Sequence, residues 1–299
     1  AVWAASLPGA EIEPFHAVGF EIEDGIGIEG FPDPEDASLV TLLVDPFTFP
    51  AGPFLAELNE EHPGLPIVGG IAAGAGEPRA QALVVDGEIH EEGAVGAVLS
   101  NVPVLTVVSQ GCSPIGTDAV ITRAEGNVVF ELAGRPALER LREEIAALPP
   151  DRRRLAAQGI LAGVVIDENR AEYRRGDYLM RGILGADESS GALAVGEEVR
   201  VGQTLRFHVR DAASADEDLV ESLRVLDGGR SAGALLFTCN GRGTHMFPEP
   251  DHDARVVAEA LETSAIAGMF CAGEIGPVGG SVFLHGFTAT MAVFLDSQR

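Results

Sequence analysis

Residues 234–243 read A-L-L-F-T-C-N-G-R-G, an apolar run that stops at two glycines flanking Arg242. A short continuous apolar run bounded by turn residues is the pattern of a strand covered on both faces. The next pattern runs from Asp251 to Leu261, with Val256, Val257, Ala260 and Leu261 at helical spacing and Asp251 or Asp253 placed to cap the helix. A second glycine-ended strand follows, I-A-G-M-F-C-A-G-E (Ile266–Glu274), then a strand pair ending M-A-V-F-L-D. The first part of the chain repeats this order. L-V-T-L-L-V-D (Leu39–Asp45) precedes a short helix at Pro53–Glu61, then P-I-V-G-G-I-A-A-G (Pro66–Gly74), then a pair ending G-A-V-L-S. The recurrence of strand, helix, glycine-rich strand end and hairpin points to a diverged duplication. Each copy is expected to hold a β–α–β unit with a right-handed crossover and an added antiparallel pair. The fold class is therefore α/β, or mixed α+β: two pseudo-repeated halves, mixed sheets flanked by helices, in a layered αββα arrangement of sheet against sheet.

Outward from these segments, two more helices are predicted. Pro136–Leu148 has Leu138, Leu141, Ile145 and Leu148 on one face, with a first-turn proline and a stop at Pro149 and Pro150. Asp216–Leu226 places Leu219, Val220, Leu223 and Leu226 together, with Gly228 and Gly229 as a stop. Further strands are expected at Gln81–Val85, Gly96–Leu99, Val104–Val108, Asn127–Leu132, Ile160–Ile166 and Thr204–Val209. The break at Pro149–Arg154, with its arginines in a solvated turn, divides the chain into expected domains at 1–150 and 151–299.

Composition narrows the function. The chain has 299 residues and a net charge of −26, and all 20 of its basic residues are arginine. So acidic a surface repels nucleic acid and anionic membrane. No apolar run approaches the length of a membrane span, and no signal peptide is visible. The absence of lysine excludes Schiff-base chemistry by this chain. Three cysteines, an odd and small number, argue against a disulfide framework and fit a reducing, cytoplasmic compartment. No cofactor motif is present. His245–Asp253 holds two histidines and several carboxylates but lacks a metal-ligand spacing, so no metal is expected.

Candidate chemistry concentrates in glycine-rich strand ends. In Cys239, Asn240, Gly241, Arg242 and Gly243, the glycines allow close backbone approach and Arg242 offers a planar fork for a carboxylate or phosphate. The alternative is a plain turn with a surface ion pair. In the segment from Cys271 to Ser281, Gly273, Glu274, Gly279 and Gly280 form a loop richer than a hairpin needs, with Glu274 able to meet an ammonium group. His285 follows an apolar strand and is either a satisfied core residue or part of the site. In the first half Gln110 and Ser113 lie in S-Q-G-C-S-P-I-G-T-D (Ser109–Asp118), expected as a loop across a cleft. A competing reading makes Cys239 or Cys271 a catalytic nucleophile with His285 and Glu274, as in a hydrolase or transferase. A third reading is a ligand-free interaction scaffold.

Several stretches together resemble the FIST family. They are L-P-I-V-G-G (Leu65–Gly70), V-S-Q-G-C-S-P-I-G (Val108–Gly116), E-L-A-G-R-P-A (Glu131–Ala137), Y-L-M-R-G-I-L-G-A-D (Tyr178–Asp187), L-F-T-C-N-G-R-G (Leu236–Gly243) and Ile266–Ala289. The resemblance implies an N-terminal and a C-terminal FIST part, and a sensory, signal-transducing module for small molecules such as amino acids, passing its signal to an unidentified downstream protein. Such chains usually carry a helix and strand ahead of the point where Ala1 stands, so the first half is expected to lack that leader. No F-box or signalling output is seen, as in a stand-alone bacterial copy. On this view Arg242 takes the carboxylate of an amino acid and Glu274 its ammonium group.

Overall fold

The structure is a computed structural model that describes residues 2–22, 25–74, 76–226 and 230–296. It divides into two compact units, Ala1–Ser109 with Glu217–Arg299, and Gln110–Asp216. The chain runs β1 (Glu11–Ile22), β2 (Gly25–Glu29), β3 (Ala37–Val44), α1 (Ala51–Glu61), β4 (Ile67–Ala72), the hairpin β5 (Leu83–Val85) and β6 (Glu88–His90), β7 (Ala94–Ser100) and β8 (Val104–Gln110). It continues through β9 (Cys112–Glu125), β10 (Val128–Leu132), β11 (Arg135–Pro136), α2 (Ala137–Ala147), α3 (Pro150–Ala157), β12 (Ile160–Val165), β13 (Tyr178–Asp187), β14 (Ala192–Val195) and β15 (Thr204–Arg210). Helix α4 (Ala212–Leu223) leads to β16 (Ser231–Cys239), α5 (His252–Ala260), β17 (Ile266–Val278), β18 (Ser281–His285) and β19 (Thr288–Leu295).

The mixed α+β class is as expected, and the internal repeat is real. In the first unit β3 and β4 are parallel and joined by α1, while β16 and β17 are parallel and joined by α5. An antiparallel strand flanks each pair, β7 beside β3 and β19 beside β16. Both copies also have a glycine at the matching place. Gly69 lies opposite Leu42 and Gly268 opposite Leu236, where an added Cβ would come within 1.8 and 1.6 Å of the facing carbonyl oxygen. The copies are joined differently from the expected layering. Strands β4 and β17 pair antiparallel, with Ala72 opposite Cys271, so one sheet runs β2-β1-β7-β3-β4-β17-β16-β19-β8. An unpaired β4 edge would leave backbone N–H and C=O groups without partners, and pairing with its own duplicate satisfies them.

Alternation along the strands sorts the core. Val40, Leu42, Val44 and Ile67 pack on Phe54, Leu55 and Leu58 of α1. Ala234, Leu236, Met291 and Val293 pack on Val256 and Val257 of α5 and on Leu219 and Leu223 of α4. The intervening residues Leu39, Val68, Phe237, Cys271 and Phe294 form a separate cluster that takes Trp3 and Leu7.

The second unit is a closed antiparallel barrel of β9, β10, β14, β13, β12 and β15. Closure rests on the long β9, which pairs with β15 along Cys112–Val120 and with β10 along Ile121–Glu125. Ile115, Ile121, Leu132, Leu193, Leu205 and Phe207 fill it.

Several expectations are corrected here. The segment expected as a cleft loop, Ser109–Asp118, is largely the start of β9; Pro114 and Gly116 hide the strand pattern, and Gly116 takes a positive φ of 62° near a register shift. The Pro149–Arg154 break is a helix, because Pro150 at its start, Asp151 in the first turn and Arg154 in the last are all helix-favouring. Arg152 is half-buried and donates to Ser113 Oγ and to the Pro114 carbonyl, at 2.7 and 2.8 Å. The compact units therefore divide the chain at 109/110 and 216/217, and position 150 falls inside the second of them. Helix α4 starts four residues before the predicted one, since Asp211 caps it through the Ala213 N–H and the Ser214 hydroxyl. The glycine stop at Gly228 and Gly229 lies outside the described residues.

Candidate functional site

The end of β16 builds the site. Thr238 faces α5 and its hydroxyl donates to Asp253 Oδ2 at 2.6 Å. Past Cys239 the chain turns, with Asn240 N–H donating to the Cys271 carbonyl and Arg242 N–H to the Cys239 carbonyl. The turn sends Arg242 onto the first turn of α5. Its Nε and Nη2 donate to Asp253 Oδ2 and Oδ1 at 2.7 and 2.9 Å, and the residue is 1% exposed. His252 Nδ1 lies 3.0 Å from Asp253 Oδ1, and its ring stacks on Phe247 at 3.6 Å. The Phe247 ring also covers the Arg242 guanidinium at 5.6 Å. Burial pushes the Asp253 carboxyl up, but the hydrogen bonds and charge of Arg242, with help from Thr238 and His252, outweigh burial and hold it below the usual range. One polar atom is left over: Arg242 Nη1 is buried without a hydrogen-bond partner among the described residues.

Beside this pair lies a cavity of about 460 Å³. Arg242, Asp251, His252 and Asp253 stand at its polar part, and Ala258, Ile266, Met269 and Phe270 are among its apolar wall. The opening has a cause in the sheet. Residues 266–270 of β17 pair with β16 alone, because β4 joins β17 only from Cys271 onward. Phe270 is accordingly 51% exposed. Asp251 takes the N-cap position of α5 in a left-handed conformation, φ 56°, and makes no side-chain cap; Asp253 makes none either, being held by Arg242. The expected aspartate cap is thus replaced by an ion pair.

Of the residues singled out in the sequence, Arg242 and Gly243 line this cavity. Glu274, Cys239, Cys271 and His285 belong to a neighbouring buried group. Glu274 is fully buried, and its Oε2 accepts from the Thr288 N–H and hydroxyl at 3.0 and 2.8 Å. Among the described residues its Oε1 has no hydrogen bond of ordinary geometry. Burial dominates and pushes its pKa to about 7. Cys239 stands opposite Cys271 in register, and His285 opposite Glu274. Both thiols are pushed up by burial first and then by the Glu274 charge, away from the thiolate form a nucleophile needs. His285 Nε2 lies 2.9 Å from the Gly276 carbonyl oxygen. Gly273 is packed against Leu284 and Ile71, at a register shift in β17. Gly279 and Gly280, both at positive φ, form the two-residue turn between β17 and β18, so most of the glycine-rich segment is strand and tight hairpin. Asn240 is exposed, and Gly241 approaches the Phe287 ring. Gln110 and Ser113 belong to the second unit, where Gln110 Nε2 donates to the Tyr178 carbonyl and Ser113 Oγ accepts from Arg152.

What sequence reading missed is the role of Asp253, which it takes as a possible helix cap and which pairs instead with Arg242. A signal was available: Asp253, Val256 and Val257 share one face of the predicted helix, so the carboxylate sits on an apolar stripe and needs a buried cation. Among the described residues no three His, Cys, Asp or Glu side chains are placed to hold a metal ion, and no helix is long and apolar enough to cross a membrane.

A duplicated β–α–β sheet in one unit and a six-stranded barrel in the other, with a cavity beside α5, define a two-unit α+β protein. The models of the FIST N domain and the FIST C domain match residues 2–135 and 137–277, and the chain belongs to the FIST family. Domains of this family are sensory and signal-transduction modules. The chain is 45% identical over 300 residues to the uncharacterized protein Rv0628c of Mycobacterium tuberculosis, covering 99% of this chain and 78% of the relative. It is likewise 45% identical over 302 residues to the uncharacterized protein Mb0898c of Mycobacterium bovis, covering 100% and 78%.

Proposed function

We propose that this chain is a sensor of a small amino acid with an apolar side chain, held in the cavity beside α5. The observation that carries this reading is the buried Arg242, which is among the residues lining the cavity and whose Nη1 has no acceptor among the described residues. A ligand carboxylate completes that guanidinium. The ammonium group meets Asp251, which lines the same cavity and makes no cap; Glu274, the residue first suited to that role, does not line it. The side chain lies along Ile266, Met269 and Phe270. The volume of about 460 Å³ falls within the range of ordinary ligand pockets. Three buried free cysteines fit a reducing compartment, and we place the module in the cytoplasm, upstream of a separate signalling protein.

The test is calorimetric titration with leucine and phenylalanine, alongside their deaminated acids and decarboxylated amines. Binding that requires both groups, and that disappears in Ala258→Phe, supports the reading. At about 100 times its dissociation constant the ligand adds roughly 2.7 kcal/mol to stability. Equal binding of the deaminated acid removes Asp251 from the site, and no binding by any amino acid overturns the ligand class.

A further inference from the structure

We propose that the outer edge of β2 is a docking site for an extended, positively charged segment of a partner protein, which joins the sheet as an added strand. Among the described residues strand β2 ends the sheet, paired with β1 on one side only. Exposed edge strands in soluble proteins are commonly protected by lysine, proline, a bulge or a cover. The G-I-G-I-E sequence of β2 carries no lysine and no proline.

Large apolar side chains crowd this corner on both faces. Glu21 stands opposite Ile26 and Phe20 opposite Gly27, so Ile26 and Phe20 point to opposite sides of the sheet. Ile26 shares a groove of about 260 Å³ with Phe47 and Pro50, and both Ile26 and Phe47 are 46% exposed. On the other side Phe20 and Ile22 are 47% and 51% exposed. A ligand docking on one face covers only half of this surface. An added strand alternates its side chains to both faces and also uses the free backbone groups of β2.

Charge selects the occupant. No arginine or lysine occurs before Arg79, so every formally charged side chain in the first 78 residues is acidic. Glu11, Glu13, Glu21 and Glu29 are exposed on β1 and β2 themselves. A second copy of the chain pairing β2 with β2 sets these carboxylates against each other, which is destabilising across strands. A segment alternating arginine or lysine with β-branched residues meets both the acid and the apolar side chains.

The probe is a fluorescent peptide, Arg-Val-Arg-Val-Arg-Val, titrated into the full chain and followed by anisotropy. Its controls are Glu-Val-Glu-Val-Glu-Val and Arg-Pro-Arg-Pro-Arg-Pro, the latter keeping the charge but unable to extend a ladder. We expect the first peptide to bind at least about tenfold tighter than either control and to slow amide exchange in residues 25–29. Ile26→Asp and the double change Glu21→Arg, Glu29→Arg each weaken it about tenfold with the melting temperature unchanged. Equal binding of the proline peptide shows diffuse charge attraction and overturns the proposal, as does wild-type affinity in both variants. Concentration-dependent dimers abolished by Ile26→Asp assign the edge to a second copy and also overturn it. None of these readouts depends on the α5 cavity.

Discussion

In the first copy of the β–α–β unit, residues 45–50 join β3 to α1; in the second, residues 240–251 join β16 to α5. The short join is a tight turn. Asp45 Oδ1 accepts from the N–H groups of Phe47 and Thr48 and from the Thr48 hydroxyl. It drops Phe49 onto Phe54, which meets Phe31 edge-on, and Phe31 meets Phe15 in turn, at centroid spacings of 5.1–5.2 Å. The space under α1 is filled with aromatic rings. The longer join carries Arg242 and Phe247, and a buried ion pair with one open donor takes the place of the aromatic wedge. A duplicated frame thus keeps one copy as scaffold and opens the other. The difference lies in the loop that follows the first strand and in where the neighbouring copy begins to pair.

The strongest way to break this contrast is to remove each wedge. Phe54→Ala is expected to cost about 3–5 kcal/mol through lost burial and a cavity. Asp253→Ala is expected to cost about 3–5 kcal/mol for a different reason, the uncompensated Arg242 charge. Urea unfolding separates them, because the double change Arg242→Met, Asp253→Leu recovers most of the second loss and no charge change recovers the first. If Asp253→Ala alone costs less than about 1 kcal/mol, the pair is not the wedge of the second copy.

Glu274 gives the next effect. Its carboxyl ionises near 4.5 when unfolded and about 7 when folded. Below pH 4.5 both states are protonated and the group has no influence. Between pH 4.5 and 7 the unfolded state loses its proton first, so this contribution lowers stability as pH rises, by about 3 kcal/mol in total. Glu274→Gln is expected to abolish that fall, leaving stability near wild type at pH 4.5 and higher at pH 8. An unchanged pH profile would mean that the carboxyl is solvated.

A smaller change sharpens the comparison. Ala258→Phe, at a half-buried position of the cavity wall, is expected to shift stability by less than about 1 kcal/mol while closing the cavity to ligand. Smallest of all is the thiol test. Iodoacetamide at pH 7.5 is expected to leave Cys239 and Cys271 of the folded chain unmodified while alkylating both in urea. Rapid labelling of native Cys239 would restore the nucleophile reading.

Much of the frame is legible in the sequence. The echo between Leu39–Gly74 and Ala234–Glu274 is visible because parallel strands covered on both faces need uninterrupted apolar runs, and these stand out from helices. Strands of the barrel were harder. Cys112–Glu125 and Tyr178–Asp187 carry Pro114, Gly116, Gly182 and Gly185, residues that read as turns locally. The second copy stands apart from the first in the sequence by its polar strand ends, but the grouping of its side chains does not show there. Arg242 was legible as unusual from its flanking glycines. Glu274 stood out equally, yet strand alternation after the register shift at Cys271–Gly273 sends it to a different group from the cavity. Gly279 and Gly280 looked like a ligand loop and are a hairpin turn, since positive φ serves both purposes.

By itself the sequence determined the mixed class, the duplication and the glycine positions, because these follow from local periodicity and from backbone freedom residue by residue. Only the tertiary structure decided that the two copies share one sheet, that a barrel takes up the residues between them, and that Arg242 belongs to Asp253. Strand order and charge pairing depend on which distant segments meet, and the energy that selects among them comes from burial and desolvation, which no single stretch of chain expresses alone.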